Sequence, residues 1–595
     1  MTAPGLKTNP CNDEGRVSAA GPVKVWPALR VHECFERLAD RQPMAAAVIS
    51  DAGTLTCTAV DRRANALSHA LLAHGVKTEE AIGVLTERSS SLPLAFLAIL
   101  KAGGVYVPMG ADLPPQRLAN MARQSRMRIL IALDGLQAPA DVLHTLADNA
   151  EGKGPTILRP EELNRNALDR DGERLNQPGK LTDLAAILFT SGSTGQPKGV
   201  LLQHAACINM GYGHAATHDI GPRDRLLLAA APGFIMGFRE LCLPLVAGAA
   251  FVPISRALLD DPAALLAFMS RHQVTVAMFT PSYLHLLRGA APEGLRCLLT
   301  AGERPNADDA RAYARKLDYW NIHGATEVCG TICMSRVDTN RGGPLPSGRP
   351  FTNTAVYLLD SDGKEVPQGE AGEIYVVGAG LARGYLHQPE LTANRFVDTP
   401  WGRAYRTGDL GRWNHEGHLE SLGRLNDVIK VSGQAVSLGE VEHTLLRHES
   451  VRYAAALQHE GKLIAFVEAV GQESLEDWHR FLGKTLPGYM LPARVTALSR
   501  MPVNSYGKVD RQALAAIAAG ASTAGNGARQ GAPPQGKVEQ QIAEIWEETL
   551  GVRPIMRDDN FFALGGTSLL SIEIGQRLQA LGHSLLQVQV DSVVA

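Results

Sequence analysis

The stretch Leu188–Val200, "LFTSGSTGQPKGV", decides how the rest of the chain is read. A short apolar run opens it. Three glycines, a set of hydroxyl side chains and Lys198 follow. A loop of this kind offers backbone N–H groups and hydroxyls to phosphate oxygens, and Lys198 adds positive charge. The spacing is not the G-x-x-x-x-G-K-[ST] of a Walker A loop, because Pro197 precedes Lys198.

Upstream, strand-like and helix-like segments alternate. "AAAVIS" (45–50), "AIGVLTE" (81–87), "VYVPM" (105–109), "MRILIAL" (127–133) and "LAAILFT" (184–190) read as strands. Between them, "DRRANALSHALLAHG" sets Ala64, Leu67 and Leu71 on one helical face before Gly75 stops it. Such alternation predicts α/β layers on a largely parallel sheet. After about Gly348, "AVYLLDSDGKEVPQGEAGEIYVVG" predicts a smaller β-rich unit with Asp-Gly turns. Residues 427–517 predict an α+β unit. "AAGASTAGNGARQGAPPQG" (518–536) reads as a flexible linker. Beyond it, "KVEQQIAEIWEETLG" places Val538, Ile542, Ile545 and Thr549 on one helical face. Residues 1–24 read as a disordered arm.

The composition bounds the rest. Over 595 residues, 45% hydrophobic and 20% charged content is that of a globular chain. A formal net charge of −3 gives no case for nucleic acid or an anionic membrane as partner. Eight cysteines without a C-x-x-C pair predict reduced thiols and a cytoplasmic location, and Cys329 with Cys333 completes no metal site.

From the phosphate loop outward, the chain resembles the adenylate-forming superfamily: acyl-CoA synthetases, luciferases and the adenylation domains of nonribosomal peptide synthetases. "SGSTGQPKGV" carries the resemblance, with "LTCTAV" (55–60), "LKAGGVYVPM" (100–109), "NIHGATE" (321–327), "GEIYVVGAGLARGY" (372–385), "YRTGDL" (405–410), "GRLNDVIKVSGQAVSLGEVE" (423–442), "LPGYMLP" (486–492) and "NSYGKVDR" (504–511) in order. It implies an α/β fold. An adenylate-forming core (25–425) of two α/β subdomains and a β-barrel-like unit is followed by a mobile α+β C-terminal subdomain (426–516), a linker (517–536) and a short helical carrier domain (537–595).

The resemblance also implies roles. Thr190, Ser191, Gly192, Ser193, Thr194, Gly195 and Lys198 would hold the phosphates of ATP, with Gly324, Ala325 and Thr326 beside them. Glu327 would hold Mg²⁺, a hard cation that prefers oxygen ligands. Asp409 would accept the ribose hydroxyls with Arg424 in support. Lys508 would bridge the substrate carboxylate and the α-phosphate. Asn426 is the hinge, where the family usually has Asp or Lys, and Lys430 and Gly433 belong to the state that delivers to the carrier. In "DNFFALGGTSLL", Ser568 would carry a 4'-phosphopantetheine arm. The partners implied are a phosphopantetheinyl transferase and downstream synthetase modules or tailoring enzymes. The carrier ends early, in "LLQVQVDSVVA", which reads as a truncated unit; with no condensation-like segment before residue 25, the sequence suggests a loading module.

The family's substrate pocket maps onto Ile235, Met236, Arg239, Met278, Leu299, Ala301, Ile322, Gly330 and Thr331. Amino-acid-activating relatives have an Asp at the Ile235 position, which pairs with the α-ammonium. Without that partner a buried ammonium is costly. The sequence therefore predicts a keto, hydroxy, aryl or dicarboxylic-type acid. Arg239 either faces the pocket, where it would favour a second carboxylate or another acceptor, or it pairs with Glu240 or points outward. The competing readings are an acyl- or aryl-CoA ligase, an unusual amino-acid-activating domain and a non-catalytic scaffold.

Overall fold

The computed structural model describes residues 19–149, 156–160, 172–190, 197–425, 428–431, 434–459, 462–469, 474–483, 486, 490–503, 509–523, 532–550, 553–557, 574 and 577–578. Two α/β layers form most of the core. In the first sheet the order is Thr156–Leu158, Ile129–Ala132, Ala81–Thr86, Val105–Gly110, Leu184–Thr190, Lys198–Gln203. All neighbours are parallel except the last pair. Its strands are buried on both faces, which is why they read as continuous apolar runs.

The second sheet has nine strands. Its centre is parallel and runs Asp318–His323, Cys297–Ala301, Val276–Phe279, Arg225–Leu228, Ala250–Pro253. Antiparallel strands close both edges. The helix Cys57–Ala73 buries Ala64, Leu67 and Leu71, and Gly75 follows it at φ 76°, as the sequence predicts.

The smaller β unit departs from the expected barrel. Its strands Thr354–Leu359, Gly372–Gly378, Gly402–Trp413 and Phe396–Thr399 form an open antiparallel sheet, with Leu419–Arg424 branching off Gly402–Trp413. That strand has 12 residues and pairs with three others along its length, so the sheet branches instead of closing.

Three further expectations change. Residues 19–24 are docked: Ala19–Ala20 pairs with Val356 and Ala355, and Lys24 N–H donates to Asn353 Oδ1 at 2.8 Å. The linker is shorter, because the helix Arg511–Thr523 continues into it and buries Ala518 completely. Alanine is the best helix former, so the Ala-rich composition that looked unstructured favours helix. In the helix Gly536–Leu550 the buried side is rotated: Ala543, Ile545, Trp546 and Thr549 are buried, while Val538 is 46% exposed. Trp546 has the most apolar area to cover, and it packs with Ile555, Ile574 and Leu578. The Cys329–Cys333 pair is buried core, and the seven described cysteines are free thiols.

The C-terminal α+β unit carries the sheet Val451–His459, Lys462–Ala469, Arg494–Leu498. Where it meets the core and the terminal helices lies a cavity of about 750 Å³. Arg288, Arg452, Arg500, Arg553 and Arg577 line it, with Glu468, Glu547 and Glu548. Among the described residues no helix is long and apolar enough to cross a membrane.

Candidate active site

Thr190 and Lys198 stand directly opposite each other in the antiparallel pair that ends the first sheet, so the strands pin both ends of the phosphate loop. The loop itself, Ser191–Gly195, lies outside the described residues, as do Asn426, Gly433, Lys508 and Ser568. Lys430 pairs through its backbone with Ala435. Thr190 Oγ1 is buried and has no partner among the described residues, which leaves a hydroxyl at the loop's entrance.

Lys198 Nζ donates to Glu327 Oε1 at 2.9 Å and to Tyr385 Oη at 3.2 Å. The Tyr385 hydroxyl donates to the same Oε1 at 2.8 Å. Glu327 sits in the one-turn helix Thr326–Val328 and is 6% exposed. Burial pushes its carboxyl up, but the Lys198 charge and the two hydrogen bonds outweigh burial and hold it below the usual range. Glu327 is thus an ionised carboxylate in a dry place. A hard divalent cation suits such a group, and Oε2 is the oxygen not used by Lys198 or Tyr385.

Tyr385 extends this cluster to Tyr405 through a hydroxyl contact. Four residues on, in the same strand, Asp409 lies opposite Arg424. Arg424 Nε is 3.4 Å from Asp409 Oδ1. Gly408, at φ 76°, makes the turn in the strand that precedes the carboxylate. The structure therefore brings Thr190, Lys198, Glu327, Asp409 and Arg424 onto connected elements. Tyr385 closes the motif "GEIYVVGAGLARGY", but nothing local to that motif signals its bond to Glu327, 58 residues away.

Gly324 joins this cluster to a second one. A Cβ there would lie 2.2 Å from the carbonyl oxygen of Gly330. Only glycine allows the two backbones to touch.

The second cluster lies at the C-terminal ends of the parallel strands, the usual place for ligands in open α/β sheets. Met278 pairs in register with Leu299, and Ala301 with Ile322. Met236, Met278, Leu299 and Ile322 share one buried cluster, with Ala301 at its edge. Ile235 begins the helix Ile235–Ala247 and faces Gly330, whose Cβ position lies 2.8 Å from Ile235 Cγ1.

Arg239 does not pair with Glu240 and does not point outward. It is 1% exposed, and its Nη2 donates to the Gly330 carbonyl at 2.6 Å and to Thr331 Oγ1 at 3.0 Å. Burial lowers its pKa to about 10. Glu240 faces another way: its Oε2 accepts from the Ala229 and Ala230 amides, both at 2.9 Å. Burial raises its carboxyl to about 8.

Behind Thr331 stands His214, which the sequence reading did not single out. Thr331 Oγ1 lies 2.9 Å from His214 Nε2, and His214 Nδ1 lies 3.1 Å from His218 Nε2. A guanidinium only donates, so Thr331 Oγ1 accepts from Arg239 Nη2 and stands in hydrogen-bond contact with His214 Nε2 as well. Burial holds both imidazoles neutral, His218 at about 3.

Comparison with known proteins fits this geometry. The profile of the family described as AMP-binding enzyme matches residues 35–386. The chain belongs to that family. A second profile, phosphopantetheine attachment site, matches residues 540–585, which include Ser568. Tyrocidine synthase 1 from Brevibacillus parabrevis is 33% identical over 560 residues, covering 92% of this chain and 50% of the relative. Phosphinothricin tripeptide synthetase PhsC from Streptomyces viridochromogenes is 36% identical over 577 residues, covering 93% and 51%. The chain thus spans about half the length of these curated relatives. Among solved structures, holo-AB3403, a four-domain nonribosomal peptide synthetase bound to AMP and glycine, superposes with a TM-score of 0.68 at 25% identity, covering 95% of this chain and 42% of that one. This AMP-binding enzyme is an AMP-forming ligase joined to a carrier segment. ATP with Mg²⁺, and a phosphopantetheine arm, are the cofactors of that combination.

Proposed function

We propose that this enzyme activates a carboxylic acid without an α-ammonium and passes the acyl group to a carrier thiol of its own chain. One substrate carboxylate oxygen attacks the α-phosphorus of ATP, the bond to the β-phosphate oxygen breaks, and acyl-AMP and pyrophosphate result. Charge develops on the phosphoryl oxygens, so positioned cations and hydroxyls do most of the work. Thr190, Lys198 and the loop Ser191–Gly195 hold the phosphates. Lys508 neutralises the carboxylate and the α-phosphate. Asp409, steadied by Arg424, takes the ribose hydroxyls, and Gly324, Ala325 and Thr326 border the nucleotide. Glu327 would hold Mg²⁺, which would supply charge neutralisation on the phosphates when bound. Asn426 lets the C-terminal subdomain turn, with Lys430 and Gly433 at the delivery face. The arm on Ser568, installed by a phosphopantetheinyl transferase, supplies the accepting thiol.

The observation that carries the substrate reading is Ile235. The relatives named above assemble peptides, yet here the position that would meet an ammonium is an alkyl side chain with a guanidinium beside the same glycine. ATP–pyrophosphate exchange across a panel of acids tests it. Non-amino acids are expected to support exchange above leucine and phenylalanine, and the reverse order overturns the reading. Mass spectrometry after treatment with a phosphopantetheinyl transferase is expected to show the arm on Ser568. An unmodified Ser568, with transfer to free coenzyme A instead, would make the protein a CoA ligase.

A further inference from the structure

Arg239 is not explained by activation of a simple acid. Its Nη2 is spent on Gly330 and Thr331, while Nε and Nη1 are buried and have no acceptor among the described residues. These two nitrogens carry three N–H groups. Among the described residues no carboxylate is in ion-pair contact with it: Glu240 acts on it only through the field, its Oε2 being used on two backbone amides and its carboxyl raised to about 8 by burial. Apart from Thr331, the other side chains of the wall, Ile235, Met236, Met278, Leu299, Ala301 and Ile322, are apolar. A buried cation in that setting is costly unless an anion arrives with the ligand.

The placement is specific. A Cβ on Gly330 would lie 2.8 Å from both Arg239 Nη2 and Ile235 Cγ1, so the guanidinium and Ile235 flank one backbone position. Thr331 and His214 act as positioning residues: Thr331 accepts from Nη2 and is itself held in contact with His214 Nε2, which leaves Nε and Nη1 for another acceptor. The two methionines are unbranched and can shift to admit a ligand.

Resting on the reading of a substrate without an α-ammonium, we infer that the substrate is a dicarboxylic acid whose second carboxylate seats on Arg239. One carboxylate is activated at the phosphates. The other stays ionised and accepts from the guanidinium.

The test uses the full chain and pyrophosphate exchange with malonate, succinate and phthalate, their monoamides, the monoacids butyrate and benzoate, and leucine and phenylalanine. A diacid is expected to exceed its own monoamide in kcat/KM by at least 100-fold. Arg239→Gln is expected to raise KM for the diacid and erase that margin, and Arg239→Lys to recover part of it. The comparison of diacid with monoamide on the unaltered chain stands even if a variant fails to fold. Monoacids or monoamides that match the diacids overturn the second carboxylate and leave the proposed function intact. Leucine or phenylalanine ahead of every other acid overturns both.

Discussion

Glu327 and Glu240 are both buried carboxylates, and their surroundings drive them in opposite directions. Lys198 and Tyr385 keep Glu327 ionised. Its contribution to stability is present above the usual carboxylate range and is lost only as pH falls through a lowered folded value. Glu327→Gln is expected to cut the pyrophosphate exchange rate by about 100-fold, in line with the loss of one preorganised electrostatic group, with the fold retained. An unchanged rate would remove Glu327 from the site. Glu240 has its carboxyl raised to about 8 by burial. The folded state therefore binds a proton that the unfolded chain has released. Stability is fullest below the unfolded pKa and declines as pH rises through about 8, with a slope approaching about 1.4 kcal/mol per pH unit. Urea titrations across that window are expected to show the decline, and Glu240→Gln is expected to flatten it.

At the scale of elements, the strands were the most legible part, because burial on both faces leaves continuous apolar runs such as "LAAILFT". Ala64, Leu67 and Leu71 were legible for the same reason at helical spacing. The resemblance singled out Thr190, Lys198, Glu327, Asp409 and Arg424 because each sits in a short motif, and the structure sets them on connected elements. Tyr385 and His214 were not, since their partners come from distant segments. Neither was the orientation of Arg239, which depends on the Gly330 carbonyl 91 residues away. The end of the helix Arg511–Thr523 was misread because an Ala- and Gly-rich string serves a linker and a helix equally well until tertiary packing decides. Ala518 tests that point. It is fully buried beside Leu514 and Phe466. Ala518→Asp is expected to destabilise the C-terminal unit by about 2 kcal/mol or more, because it buries an unpartnered charge. A residue in a solvated linker would tolerate the change, and denaturation monitored by tryptophan fluorescence separates the two.

Across the whole molecule, the junction of core, C-terminal unit and terminal helices is polar. The Asn306 side-chain amide donates to the Arg452 carbonyl at 2.7 Å, and the Ser499 hydroxyl donates to the Glu548 carbonyl at 2.5 Å. The arginine-lined cavity lies in the same seam. Polar junctions of this kind separate without exposing much apolar surface. Raising ionic strength from about 0.05 to about 0.5 M shortens the screening length several-fold and weakens charge contacts across the seam, such as His285 Nε2 with Glu468 Oε1 at 3.8 Å. The radius of gyration from small-angle scattering is expected to rise with salt while secondary structure by circular dichroism stays fixed. A constant radius would mean that packing elsewhere locks the units together.

The contact between Gly324 and Gly330 has a consequence for how such an enzyme can be altered. On one side lie Glu327, Lys198 and Tyr385. On the other lie Ile235, Arg239 and the strand ends that form the wall. The two groups meet at this bare stretch of main chain, so on the proposed reading an exchange on the wall adds no bulk at the glycine contact itself. On that reading, acid choice and phosphoryl chemistry become close to separable inheritances. A new acid could be adopted by a handful of exchanges around Arg239, provided that the two glycines are kept.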